Sequence, residues 1–196
     1  MDLWSKSLGY LKNLALVGII IFGVDCFGQS QPSMEDRAKA NELNLNGIKL
    51  LQANNIEGAR KEFEKAAKAD PVVGEYVNNI GVTYLNSGQL IQAIEYFTKA
   101  AEVEPKLPRP YYNLGVAYQA IRENEKAIAN YEKAISLNSN WPEAYYNLGI
   151  VYSRAGEKNK AIVSYRKFIA IAPPGPEFIG PVQDAKSKII ELERQK

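Results

Sequence analysis

The sequence predicts an all-α solenoid, a stack of antiparallel helix pairs, and three columns of residues predict it. Gly47, Gly81, Gly115 and Gly149 recur every 34 residues. Twelve residues after each glycine stands Ala59, Ala93, Ala127 or Ala161, and sixteen after it an aromatic ring: Phe63, Phe97, Tyr131 or Tyr165. A fixed period of this length marks a supersecondary unit that cannot bury its apolar face alone and stacks on its neighbours. A glycine inside a helix costs about 0.5–1 kcal/mol relative to alanine. Four in register therefore imply a contact too close for a Cβ.

Residues 1–28 read as a segment apart from this array. Lys6 and Lys12 precede Leu14 to Val24, a run of 11 uncharged residues closed by Asp25. A basic head, an apolar run and small residues soon after it match a secretory signal peptide. As a helix the run spans roughly 16 Å, about half of a bilayer core. Three fates stay open: cleavage after Gly28, retention as a membrane anchor, and lipidation of Cys26. The last resembles a bacterial lipoprotein signal only in part, because Asp25 stands where a small residue is expected. The lysines ahead of the run place the rest of the chain on the non-cytoplasmic side. The repeats are thus expected to be extracytoplasmic (periplasmic or secreted), or membrane-anchored and facing away from the cytoplasm.

Residues 29–39 supply a polar linker and the start of the first helix, where Ser33 and Asp36 fit a capping box. The repeats then run 40–73, 74–107, 108–141 and 142–175. Each holds two helical patterns around a polar break: Asn54 and Asn55, Ser87 and Gly88, Arg122 to Asn124, Gly156 and Glu157. Pro71, Pro105 and Pro173 close three of the repeats, since a proline disfavours helix in the residue before it. Pro142 opens the fourth at a tolerated first-turn position. Residues 176–196 remain as a cap, with a helix expected from Pro181 to about Arg194. Val182, Ala185, Ile189 and Leu192 would line its buried side, and Phe168, replacing the alanine of other repeats, would pack against it.

The third repeat carries Tyr111, Tyr112, Asn113, Leu114, Gly115 and Tyr118, followed by Ala127, Tyr131 and Ala134. The fourth repeats this with Tyr145, Tyr146, Asn147, Leu148, Gly149 and Tyr152, then Ala161 and Tyr165. This pattern resembles the tetratricopeptide repeat family over residues 40–175. The resemblance implies a right-handed superhelix whose groove is lined by the first helix of each pair.

On a helical wheel, Tyr111, Leu114, Gly115, Tyr118 and Ile121 share the arc that serves internal packing. Tyr112, Asn113, Val116, Gln119 and Ala120 occupy the opposite arc, which would be polar if it met only water. Stacking the repeats instead gives an aliphatic strip of Ile48, Val82, Val116 and Ile150. Asn44, Asn78, Asn79, Asn113 and Asn147 flank it, with Tyr112 and Tyr146. Apolar surface beside amides that both donate and accept suits a protein or extended peptide in the groove. The family's chaperone-tail members hold a terminal carboxylate with lysines, arginines and asparagines. Here Ile48, Val82 and Val116 stand in place of such polar groups, and a clamp for an acidic chain end is not expected.

Other function classes lose ground on composition. The chain has no histidine, the commonest general base and metal ligand, and its single cysteine, Cys26, forms neither an internal disulfide nor a cysteine zinc site. No catalytic residues, metal ligands or cofactor are expected. A net charge of +2 without a basic block leaves no footprint for nucleic acid. Lys65, Lys99, Lys133 and Lys167 form a column on the second helices and read as a solvated outer face. The expected function is a non-enzymatic interaction module, a scaffold or assembly factor docking partners in its groove. The alternative is a self-associating structural protein that buries the groove or the last helix in a homo-oligomer.

Overall fold

The computed structural model describes residues 31–194; residues 1–28, including Cys26 and the signal-like run, lie outside them. From Glu35 onward the described residues form one compact unit. Regular structure among them is wholly helical: α1 (Met34–Gln52), α2 (Ile56–Ala69), α3 (Gly74–Asn86), α4 (Leu90–Val103), α5 (Pro108–Ala120), α6 (Asn124–Leu137), α7 (Pro142–Arg154), α8 (Lys158–Ile171) and α9 (Pro176–Arg194). Successive helices pack on one another, and first helices also meet across repeats, α3 with α5 and α5 with α7. No described helix is long and apolar enough to cross a membrane.

The glycine column has the steric cause its spacing implied. A Cβ built on Gly47, Gly81, Gly115 or Gly149 would lie 2.5, 2.6, 2.6 or 2.7 Å from the ring sixteen residues on. Phe63, Phe97, Tyr131 and Tyr165 press against the bare glycine backbone, and all four are buried. The alanines around them are fully enclosed, Ala59, Ala93, Ala127 and Ala161 among them. Small residues let the helices approach, and the rings fill the space that remains.

Local chemistry sets the boundaries. Asn55 caps α2 by accepting the Gly58 N–H at 3.0 Å. Pro108 and Pro142 open α5 and α7 at their first position, where no intrahelical N–H bond is lost. Between the helices of each pair, one residue turns left-handed: Asn54 (φ 59°), Gly88 (φ 73°), Arg122 (φ 63°) and Gly156 (φ 78°). Glycine and asparagine tolerate that conformation, whereas an arginine there costs roughly 1–2 kcal/mol.

Two expectations need correction. The last helix begins at Pro176, not Pro181, so Pro181 lies inside it. Pro176 takes the first-turn position, and Pro181 falls near enough to the start that the helix loses one backbone bond there. Ile121, assigned to the packing arc, ends α5 as its C-cap and is 37% exposed. Phe168 does pack against the cap: its ring lies 6.3 Å from that of Phe178, and Ala185 and Leu192 join the same core cluster.

Candidate interaction groove

The residues of the expected groove lie on α1, α3, α5 and α7, and the structure brings them together in an unexpected way. Asn79 donates from Nδ2 to Oδ1 of Asn44 at 2.9 Å, and Asn113 likewise to Asn78 at 2.8 Å. Asn147 donates to the Tyr112 hydroxyl at 3.1 Å. Each rung joins a residue to the one 35 positions earlier, in the preceding repeat. Tyr76 adds a parallel rung, its hydroxyl donating to Asn41 at 2.7 Å. The amides expected to stand free for a partner thus already tie the repeats together. Asn78 is 2% exposed and also donates to Asn79, so it sits inside the wall and not on it.

The aliphatic strip is half-buried throughout. Ile48 and Val82 lean on the cores of the first two repeats, and Val116 and Ile150 on that of the last two. Between the second and third repeats the wall opens into a cleft of about 520 Å³. Leu51, Val82, Pro108 and Tyr112 give it an apolar lining, and Asn78, Asn79 and Asn113 a polar one. Arg109 stands at this cleft and is paired with Glu75 of the preceding repeat at 3.1 Å. Trp141, from the link before α7, stacks on Tyr112 with centroids 4.5 Å apart. Sequence reasoning missed it because it lies outside any helix. Its column of Val73 and Leu107 was the available signal.

Farther along, Val116, Gln119, Ala120, Arg122, Tyr131, Asn147 and Arg154 line a second cleft of about 440 Å³. At the C-terminal end the wall is covered. Tyr146 meets Phe168 at 5.1 Å, and its hydroxyl donates to Asp184 of α9 at 2.9 Å. Burial first, then the bond to the Asp184 carboxylate and its charge, push the Tyr146 phenol up to about 12. Burial likewise raises Tyr112 and Tyr131, the charge of Glu143 adding to the first and the neighbouring Tyr112 to the second, while Asn147 opposes both. These phenols are held neutral, Tyr131 and Tyr146 as donors and Tyr112 as the acceptor of the Asn147 amide. Among the described residues no group of three or more carboxylates or cysteines could hold a metal ion.

The wall thus carries two open clefts, apolar at the floor and rimmed by amides and guanidinium groups. Comparison with known proteins agrees with the architecture. The family model described as TPR repeat matches residues 81–121 and 123–156, and that described as tetratricopeptide repeat matches 142–174. A crystal structure of MamA protein is 31% identical, with a TM-score of 0.63, over 80% of this chain and 87% of that one. A second MamA crystal structure is 32% identical with a TM-score of 0.60, over 76% and 95%. The first TPR of Spaghetti (RPAP3), bound to an HSP90 peptide, shares the fold at 22% identity and a TM-score of 0.59, over 61% and 95%. No curated protein matches the sequence. With the glycine–ring contact made in four successive helix pairs and two relatives above 30% identity, this chain belongs to the tetratricopeptide repeat family.

Proposed function

We propose that the protein is a non-enzymatic docking module that holds an extended segment of a partner protein along the wall formed by α1, α3, α5 and α7. The observation that carries this is the cleft between the second and third repeats, where Val82, Tyr112 and Trp141 offer apolar surface beside asparagines. Its rungs fix the amides before any ligand arrives, so little ordering opposes binding. The RPAP3 domain bound to an HSP90 peptide supports the view that this fold admits extended polypeptide. The test is a pull-down with the native chain and with Val82→Asp. A partner held by the first and lost from the second is expected, since the variant would place a carboxylate beneath the bound segment in that cleft. A partner retained equally by both overturns the assignment. A dimer or larger species that Val82→Asp dissolves makes the occupant a second copy.

Export accompanies this function. Lys6, Lys12 and the apolar run Leu14 to Val24 support a position outside the cytoplasm, free after cleavage at Gly28 or held at the membrane by the segment or a lipid on Cys26. A reporter fused after Lys196 that works only in an oxidising compartment is expected to be active. Activity of a cytoplasm-only reporter instead rules the export out.

A further inference from the structure

The second cleft departs from the repeat pattern at three places, and all three departures add hydrogen-bond donors. Arg122 replaces the glycine or asparagine of Asn54, Gly88 and Gly156. Arg154 replaces Gln52, Asn86 and Ala120. Gln119 replaces Leu51, Leu85 and Ser153. They lie in different repeats or elements, yet line one cleft, where Arg154 Nη1 donates across the repeats to Gln119 O at 3.2 Å. The Gln119 side-chain oxygen is engaged by the Tyr131 hydroxyl at 2.8 Å, and Gln119 lines the cleft. Neither guanidinium forms an ion pair with a described residue, although Glu123 and Glu157 lie close in sequence and are taken by Lys126 and Lys160. No carboxylate lines the cleft.

Arg122 holds a left-handed backbone at φ 63° that glycine would adopt without strain, as Gly88 and Gly156 do at the same turn. A strained residue at the mouth of a binding cleft points to a role that the fold does not require. We infer that Arg122, Arg154 and the Gln119 amide form a carboxylate subsite for an aspartate or glutamate within the segment seated in the groove. This deepens the docking function proposed above and rests on it. It differs from a clamp on a chain end, because the cations stand at the turn edge of the wall and Val116 forms the floor beside them. Arginine's planar fork matches a carboxylate, with two parallel N–H···O bonds that fix its orientation.

The test selects binders from a random short-peptide library on the full chain, then measures each as the acidic peptide, its amide counterpart and its phosphoserine counterpart. Selected peptides are expected to carry Asp or Glu at a fixed distance from an apolar residue. Conversion to the amide should weaken binding about tenfold or more on the native chain and hardly at all on Arg154→Gln. Arg122→Gly should weaken the acidic peptide several-fold while melting no lower than the native chain, which a merely structural arginine would not do. Peptides that bind without an acidic residue, ignore Arg154→Gln, yet are lost on Val82→Asp in the other cleft would overturn the subsite and leave the groove standing. Binding by the phosphoserine form alone would also overturn it. If no peptide is selected, or if Val82→Asp changes nothing, the groove and the subsite fall together.

Discussion

Gly81 against Phe97 and Gly149 against Tyr165 are one contact made in two repeats, with the same 2.6–2.7 Å approach. Along the groove wall the same two repeats behave differently. The second bonds backwards through an asparagine pair, Asn79 to Asn44, whereas the fourth bonds through a phenol, Asn147 to Tyr112, and is covered by α9 at Tyr146 and Asp184. Inside a helix pair, backbone packs on ring, and any change of volume is felt by the whole stack. On the wall, side chains meet side chains across repeats, and one residue can be exchanged without moving a helix. Repetition is therefore strict where the fold is specified and relaxed where a partner would be read.

The largest effect expected from this contrast belongs to the glycine column. Gly115→Leu would drive a side chain into Tyr131, whose ring atoms lie 2.6 Å from even a Cβ. It should destabilise the chain by about 3 kcal/mol, the upper part of the usual overpacking range. Thermal or urea melts of the native and variant chains check it. A loss below that of any wall substitution would mean that the rings can swing away, and the contrast drawn here would fail.

On the wall, Asn113→Ala removes one rung to Asn78 and leaves that buried amide oxygen without its donor. The expected cost is about 1 kcal/mol, several times less than for Gly115→Leu, together with weaker partner binding. Binding lost at unchanged stability would show that the amide faces the partner and not its neighbour. The third comparison uses pH. The unfolded Tyr146 phenol titrates near 10.0, and the folded one is pushed up to about 12 by burial and by Asp184. Below pH 10 both states are neutral and the full stability is present; between about 10 and 12 only the unfolded phenol ionises, so stability is lost as pH rises. Tyr146→Phe should flatten part of that alkaline decline in melts followed by circular dichroism. An unchanged slope would assign the decline to the other buried phenols.

The sequence revealed the contact that recurs and hid the contacts that vary. Four glycines and four rings in phase are visible at once, because every copy obeys the same steric rule. The rungs join columns one residue out of phase, such as Asn79 with Asn44, and a wheel drawn for a single helix cannot show that two helices exchange bonds. Arg122 looked like part of a polar break. Only its alignment with Gly88 and Gly156 exposes the left-handed turn. Trp141 lay in a link, and its stacking on Tyr112 depends on how α7 enters the array. Pro181 suggested a helix start because proline prefers that position, but Pro176 occupies it first.

The smallest expected effect lies on the outer face and sharpens the same contrast. Lys133 is exposed, with Nζ 5.7 Å from the centroid of the Tyr111 ring. Lys99 occupies the same column, but Val77 stands where Tyr111 would lie. Lys133→Leu should therefore cost about 0.5 kcal/mol, the lower value for an exposed cation over a ring, and Lys99→Leu less. Measuring both isolates the ring contact, since the column and the solvent exposure are shared. Neither should alter partner binding, because neither lysine lines a cleft of the wall. A lysine variant that melted as low as Gly115→Leu would place the column inside the stack and invert the assignment of faces on which the groove depends.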